Sequence, residues 1–568
     1  MKTIFINFEG QSSFKDQVDV VISKNEIVCL QRGLKSLSFD REFVLSEFSK
    51  VKEAIRNSDF SELLNGMQPA LSRSVFIPLG QWLTTIKYAI ENNYITKEDS
   101  VIIQKSGKKI NISMMEAEGE SQTNFLYDYS FFLAPIVIQY LRLNGVNSIT
   151  TKETSIFNSI KFYIRGLSFI HLKFFQQCIY KIFYWFHSRK CDTSQSEILF
   201  TTRGLIQSQF IKNIQQVFFH KKTAIFAVES SIFPFRNYRY LHWSKVDFSY
   251  GEGILPVYQI ISDYIQIVKK FLSISLLAAP TKCKFFGLSL NLNKCLADIA
   301  IYEYYCSTLG KALKHELKNN DKRKTIVCFD MLSPQPYYVK CLNPNQRVVQ
   351  IQTTLMASLK QENYVFGDKF YFSDRETYNN HSIINHELVH VLDVLPDIKY
   401  SVIHDIEKIK NEKRIIYFTQ PIFQEDEGVI IQLLKEYSES SELDFMIKLH
   451  PRSRKAEYST HNVPFVHDNA DSIETIKMAE VVATRNSSIG YDAWKLDVPV
   501  LFFVNGKLKN TGIDYIPDEY QGTFKYLPSI QQISNFVDNK QLYFHDYGRF
   551  KISEEERQAL KEKVQNQF

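Results

Sequence analysis

Apolar residues in this chain fall into two patterns. Short apolar runs such as Ile415-Ile416-Tyr417-Phe418 are followed by longer stretches in which apolar positions recur every third or fourth residue. The runs predict buried strands and the recurrences predict amphipathic helices, so their alternation predicts parallel sheets layered with helices. The alternation is clearest from about residue 194 onward. Strands are expected at 197–200 and 223–228 around a helix at 206–217, then long helices at 258–277 and 295–317, then strands at 325–329, 347–351 and 369–372. A charged helical stretch at 404–412 leads into a second alternating block. Its strands are expected at 415–418, 445–449, 463–466, 481–484 and 498–503, with helices near 427–439, 471–479 and 487–495 and a last charged helix near 553–566.

The first 190 residues read differently. Met1 to Phe8 is apolar too briefly before Glu9 for a signal peptide and reads as a first strand. Polar helix-like segments and an apolar run at 131–138 follow. From 156 to 186 the chain is dense in Phe, Ile, Leu and Tyr, yet Lys161, Arg165, Lys173 and Lys181 recur at spacings of four, eight and eight, near one side of a helix. That stripe has two readings: a helix lying on a membrane with its cations at lipid phosphates, or a core helix with a solvated basic face. Gly166 is its weak point. The expected organisation is α/β: a 1–190 N-terminal extension, α/β or mainly helical, then two Rossmann-like domains at 191–400 and 401–568.

Composition narrows the picture modestly. A chain of 568 residues is too long for one core, and 44% hydrophobic with 23% charged residues describes a globular protein. Net charge of +6 does not imply nucleic acid; a nucleotide sugar, an acidic glycan or an anionic membrane suits it as well. The eight Cys residues include no Cys-x-x-Cys pair, which argues against a zinc ribbon and for reduced thiols in the cytoplasm. No run is long and apolar enough for a membrane span.

Candidate chemistry gathers in three polar interruptions of the second block, each where a predicted strand ends. Such ends converge on one crevice in an open parallel sheet. After 415–418 come Gln420-Pro421 and then Glu425-Asp426-Glu427-Gly428, crowded carboxylates of the kind whose pKa values rise toward those of a general base. Alternatively, these acids serve a helix dipole. After 445–447 comes Lys448-Leu449-His450-Pro451-Arg452, a histidine fit to donate a proton to a leaving phosphate, flanked by cations. After 481–484 comes Asn486-Ser487-Ser488, hydroxyls at a helix start that bind phosphate or merely cap the helix.

Together, Phe418-Thr419-Gln420-Pro421, Asp426-Glu427-Gly428, Lys448-Leu449-His450-Pro451-Arg452 and Ser487-Ser488 resemble the motifs of bacterial sialyltransferases of the lipooligosaccharide and polysialic acid type. The likeness covers roughly 414–503. It implies the GT-B architecture, two Rossmann-like domains facing a cleft, with the 191–400 domain taking the acceptor and the 401–568 domain the donor. It also implies an inverting transfer of a nonulosonic acid from a CMP donor to a glycan or glycolipid hydroxyl, for capsule or lipopolysaccharide. Asp426 or Glu427 would be the base and His450 the acid. Gln420, Gly428, Lys448, Pro451, Arg452, Asn486, Ser487 and Ser488 would line the donor phosphate site. No metal or other cofactor is required, and the expected location is the cytoplasm, with peripheral contact at the inner face of the plasma membrane. Capsular Kdo transferases and teichoic-acid glycerophosphotransferases look similar and form the alternative.

Two rivals belong to other classes. His386-Glu387-Leu388-Val389-His390 is a literal His-Glu-x-x-His, which on an α-helix holds zinc in metallopeptidases. Pro396 cuts that helix short, and the same stretch reads as a strand over 389–395. A glycan-binding scaffold with a decayed site is the non-enzymatic alternative, against which the full set of base, acid and phosphate residues argues.

Overall fold

The computed structural model describes residues 2–7, 18–23, 26–29, 33–37, 41–104, 129–151, 155–186, 193, 195–203, 208, 211, 215–218, 221–229, 236–243, 245–318, 322–329, 334–352, 365–372, 375–384, 386–395, 413–419, 427–450, 453, 455–467, 470–485, 487, 489–504, 520–524, 526–540 and 554–567. The chain is α/β and packs as two compact units. The first comprises Met1–Lys212, Phe219–Ile351 and Gln361–Phe370; the second comprises Asn213–Phe218, Gln352–Lys360 and Tyr371–Phe568. The boundary drawn at residue 190 falls inside the first unit, and the boundary at 400 inside the second.

An N-terminal sheet is built from β1 (Thr3–Asn7), β2 (Val20–Ser23), β3 (Glu26–Cys29), β4 (Gly33–Ser36), β5 (Ser100–Gln104) and β6 (Ile149–Thr151), in the order β4-β3-β2-β1-β5-β6. β1 runs parallel to β2 and β5, whereas β3 is antiparallel to both β2 and β4. Further along come β7 (Ile198–Thr202), β8 (Thr223–Ala227), β9 (Ser249–Tyr250), the hairpin β10 (Lys282–Phe285) and β11 (Leu288–Asn291), β12 (Thr325–Cys328), β13 (Arg347–Ile351), β14 (Lys369–Phe372) and β15 (Leu392–Val394). Apart from the hairpin they form one sheet in the order β15-β14-β13-β12-β7-β8-β9, parallel from β13 through β9. By chain position this is 7-6-5-4-1-2-3, the winding of the Rossmann fold.

The N-terminal sheet is no separate appendage. One continuous core runs from Ile4 and Val101 through Trp82 and Phe169 to Phe271 and Leu296. Ser155–Phe186 is an unbroken helix. The helix runs through Gly166, where a Cβ would sit 2.3 Å from the Phe271 ring, so the missing side chain lets the Val257–Leu272 helix pack close. The basic stripe, apart from Lys161, whose side chain lies outside the described residues, differs from both expectations. Arg165 is buried and ion-paired with Asp298, and Lys173, only 2% exposed, reaches Gln176 at 2.8 Å and Glu252 at 3.4 Å. Lys181 donates to the Gly253 carbonyl at 2.6 Å. These cations point into the first unit, where buried carboxylates and a carbonyl offset the cost of removing them from water.

In the second unit β16 (Arg414–Phe418), β17 (Asp444–Lys448), β18 (Val481–Thr484), β19 (Val500–Phe503) and β20 (Thr523–Phe524) pair in parallel, in the order β17-β16-β18-β19-β20. The strand expected at 463–466 is reduced to one parallel bridge, Phe465 to Ile447, on the outer side of β17. With it counted, the order is again 3-2-1-4-5-6. The helices Glu427–Ser440, Ser472–Lys477 and Ile489–Lys495 alternate with these strands as expected. The expected helices at 206–217 and 404–412 fall wholly or mostly outside the described residues. Among the described residues no helix is long and apolar enough to cross a membrane.

Candidate active site at the strand ends of the second unit

Register places the chemistry. Phe418 lies opposite both Lys448 and Thr484, so β16, β17 and β18 end level with one another. Between β16 and β18 the winding reverses direction, which makes their carboxyl ends the crevice where such sheets bind ligands. Thr419 leaves β16 there, Leu449-His450 leaves β17, and Arg485 followed by Ser487 leaves β18.

Thr419 ties the ends together. Its backbone N–H donates to the Lys448 carbonyl at 3.1 Å, and its Oγ1 accepts the His450 N–H at 2.8 Å. The same hydroxyl lies 3.0 Å from Ser453 Oγ, and the Ser453 N–H donates to the His450 carbonyl at 2.8 Å. His450 is therefore held on both sides of its backbone while its side chain remains half-buried. Thr484 Oγ1 donates to the Phe418 carbonyl at 3.2 Å and fastens the third strand to the first.

Below this rim lies a buried polar cluster. Glu427 opens its helix fully buried and accepts the Tyr417 hydroxyl at 3.0 Å. Burial and then the Glu427 charge push the Tyr417 phenol far above its usual range, while nearby Arg485, itself buried, pulls the other way. Tyr458 is raised by burial and next by Glu427, with the Ser453 and Thr419 hydroxyls opposing the shift. Glu427 is thus committed to the interior, beneath the residues that hold His450.

Lys448 is also turned inward, its ammonium donating to the His467 carbonyl at 3.1 Å. Ser487 Oγ accepts the Ile489 N–H at 3.3 Å, and the Ser487 carbonyl accepts the Gly490 N–H at 3.1 Å, so this serine caps its helix. Gly428 is half-buried at the second position of the helix that Glu427 opens. Gln420, Asp426, Pro451, Arg452, Asn486 and Ser488 lie outside the described residues. The structure thus brings Glu427, Lys448, His450 and Ser487 to the ends of β16, β17 and β18, with the hydroxyl of Thr419 holding the His450 N–H. Sequence reasoning assigned no role to Tyr417, Thr419, Arg485, Ser453 or Tyr458. Only the first three sit at or beside a predicted strand end, where a signal was available.

The His-Glu-x-x-His stretch forms a 3₁₀ turn, His386–Val391, with none of its residues buried. At three residues per turn, positions i and i+4 diverge by about 120°, so the two histidines do not share a face as they would on an α-helix. Only Leu392–Val394 continues as the expected strand. Among the described residues no three His, Cys, Asp or Glu side chains are grouped to hold a metal ion.

No protein-family model matches this chain, and no curated protein matches it either. Among solved structures it is similar to the UDP-GlcNAc 2-epimerase from Neisseria meningitidis bound to UDP-GlcNAc, at 10% identity over 65% of this chain and 98% of that one, with a TM-score of 0.40. The wall teichoic acid polymerase TagF matches at 12% identity over 73% and 98% of the two chains, TM-score 0.39. MnaA of S. aureus in complex with UDP matches at 12% over 61% and 90%, TM-score 0.37. Each is a likeness of general α/β architecture at low identity.

Proposed function

We propose that the chain is an inverting, metal-independent glycosyltransferase that moves a sialic-acid-like nonulosonic acid from its CMP donor to a hydroxyl of a surface glycan. The observation that carries the reading is the level strand ends at the winding reversal of the second unit, where the His450 backbone is held by Thr419 and Ser453 after β17 and Ser487 follows β18, with β16 between them. That arrangement supplies a proton donor and hydroxyls on one rim, as departure of a nucleotide phosphate requires.

In this reading the acceptor oxygen attacks the anomeric carbon as the bond from that carbon to the CMP phosphate breaks. The bonding electron pair leaves with the phosphate, and the acceptor proton passes to a carboxylate. That base is Asp426, because the Glu427 carboxylate is buried and engaged by Tyr417. His450 protonates or electrostatically supports the leaving phosphate, and the motif resemblance assigns Arg452, Asn486, Ser487 and Ser488 to binding it. Gln420, Gly428, Lys448 and Pro451 complete the residues assigned to the donor phosphate site by the motif resemblance. Each preorganised donor lowers the barrier by roughly 2–4 kcal/mol.

A screen of CMP-activated sugars with and without EDTA tests this. Release of CMP that survives chelation is expected; peptide cleavage that chelation stops would overturn the reading in favour of a metallopeptidase. His450→Ala is expected to slow transfer by roughly 10²–10³ with an unchanged melting temperature, while His386→Ala leaves transfer intact. Full activity in His450→Ala removes that histidine from the mechanism.

A further inference from the structure

We propose that the outward face shared by the Ser155–Phe186 and Val257–Leu272 helices of the first unit is a docking surface for an anionic lipid bilayer. The inference is independent of the transfer reading. The two helices pack antiparallel: the Tyr163 hydroxyl donates to the Ser275 carbonyl at 3.2 Å, Gly166 lies against Phe271, and His171 meets the Tyr264 hydroxyl at 3.1 Å. On each helix the exposed stripe sits about a quarter-turn from the side that meets the other helix, displaced in the same rotational sense. In an antiparallel pair that geometry turns both stripes the same way, which makes one continuous face.

The face is apolar where a soluble surface is ordinarily polar. Phe175 and Ile261 are exposed along it, Trp185, Phe186 and Tyr258 are 65%, 80% and 71% exposed at one end, and Leu277 is 81% exposed at the other. A contiguous patch of this kind marks an interaction surface. Charge identifies the occupant. The 32-residue helix contains no Asp or Glu, and the sole acid of its neighbour, Asp263, is buried against Lys311. Lys269 stands exposed in the second stripe, and Lys282 and Lys284 are exposed on the strand that follows Leu277. A second copy of the chain would set this face, which carries no exposed carboxylate among the described residues of the two helices, against its like. Anionic headgroups complement it, the acyl boundary takes the Phe and Leu side chains, and Trp185 and Tyr258 suit the interface between them. The anchoring is therefore by the apolar face, since Arg165, Lys173 and Lys181 point inward.

Flotation of the full-length chain with vesicles tests the proposal. With mixed phosphatidylglycerol and phosphatidylcholine vesicles at low salt the protein is expected to float, with a blue-shifted tryptophan emission that brominated lipid quenches and that Trp185→Phe abolishes. Phe186→Ser combined with Leu277→Ser is expected to lower the floated fraction by about tenfold or more, with an unchanged melting temperature because both side chains are exposed. Absence of flotation overturns the proposal. So does equal binding to phosphatidylcholine alone, which removes the anionic assignment, or a dimer in light scattering that the double variant converts to a monomer without any effect on lipid.

Discussion

At the carboxyl end of β8, Glu229 turns back into its own unit; at the carboxyl end of β17, the chain delivers His450 to a hydroxyl clamp. Both sheets share one winding, so topology does not distinguish them. The difference lies in what answers the polar groups. In the first unit the Glu229 carboxylate accepts the N–H groups of Asn237 and Tyr238, and its own N–H donates to Glu252 at 3.0 Å. Glu252 is in turn engaged by the Tyr238 hydroxyl and by Lys173. That strand end closes on itself. In the second unit a buried acid, Glu427, opens the helix after β16, while Thr419 holds a histidine by its backbone and leaves that residue half-buried. Like strand ends thus close on a buried carboxylate in one case and hold a half-buried histidine in the other.

The largest effect expected from breaking this comparison is on stability. Glu252→Ala strips the buried Lys173 of its carboxylate, and Glu427→Ala leaves Tyr417 without its acceptor beside buried Arg485. Each should cost about 3–5 kcal/mol in urea unfolding, whereas Glu427→Gln, which keeps an acceptor oxygen, should cost much less. A Glu427→Ala protein with wild-type stability but no activity would instead place that carboxylate on the surface as a base. Next in size is the clamp. Thr419→Val removes the oxygen that accepts the His450 N–H, which should cost about 1–3 kcal/mol locally and lower kcat about tenfold with KM unchanged; the equivalent Thr202→Val in the first unit should leave kcat alone.

The smallest effect is on pH dependence. Tyr417 and Tyr238 both have folded pKa values raised above the ordinary phenol value, first by burial and then by a glutamate, Glu427 and Glu252 respectively. Their contribution is complete below about pH 10 and is lost as pH rises, because the unfolded chain sheds the proton that the folded chain keeps. Stability should fall by roughly 1.4 kcal/mol per pH unit for each such tyrosine. Tyr417→Phe and Tyr238→Phe should each flatten the alkaline limb; no change in either would contradict the raised phenol.

Much of the second unit was legible because its strands are apolar runs bounded by polar turns, and Arg414–Phe418, Asp444–Lys448, Val481–Thr484 and Val500–Phe503 lie within two residues of expectation. In the N-terminal sheet only its first strand, Thr3–Asn7, was legible. Gly33–Ser36 and Glu26–Cys29 are four-residue strands with polar members, stabilised by antiparallel neighbours that no periodicity reveals. The basic helix was legible as a helix but not in its orientation. Spacing puts Arg165, Lys173 and Lys181 near one side, and only the distant Asp298 and Glu252 decide that this side faces inward. For the same reason Arg485 and Tyr458 escaped notice: a polar residue's burial depends on partners that sequence distance hides.

That pairing across sequence distance has a consequence for how the protein is made. Glu252 follows Lys173 by 79 positions, and Asp298 follows Arg165 by 133. At about 5–20 residues per second, the helix waits on the ribosome for roughly 4 to 27 seconds before its counter-ions emerge. Throughout that interval it is a nascent chain with unneutralised cations and bare aromatic rings, a substrate suited to a holding chaperone, and truncations that end before residue 298 should be retained by one.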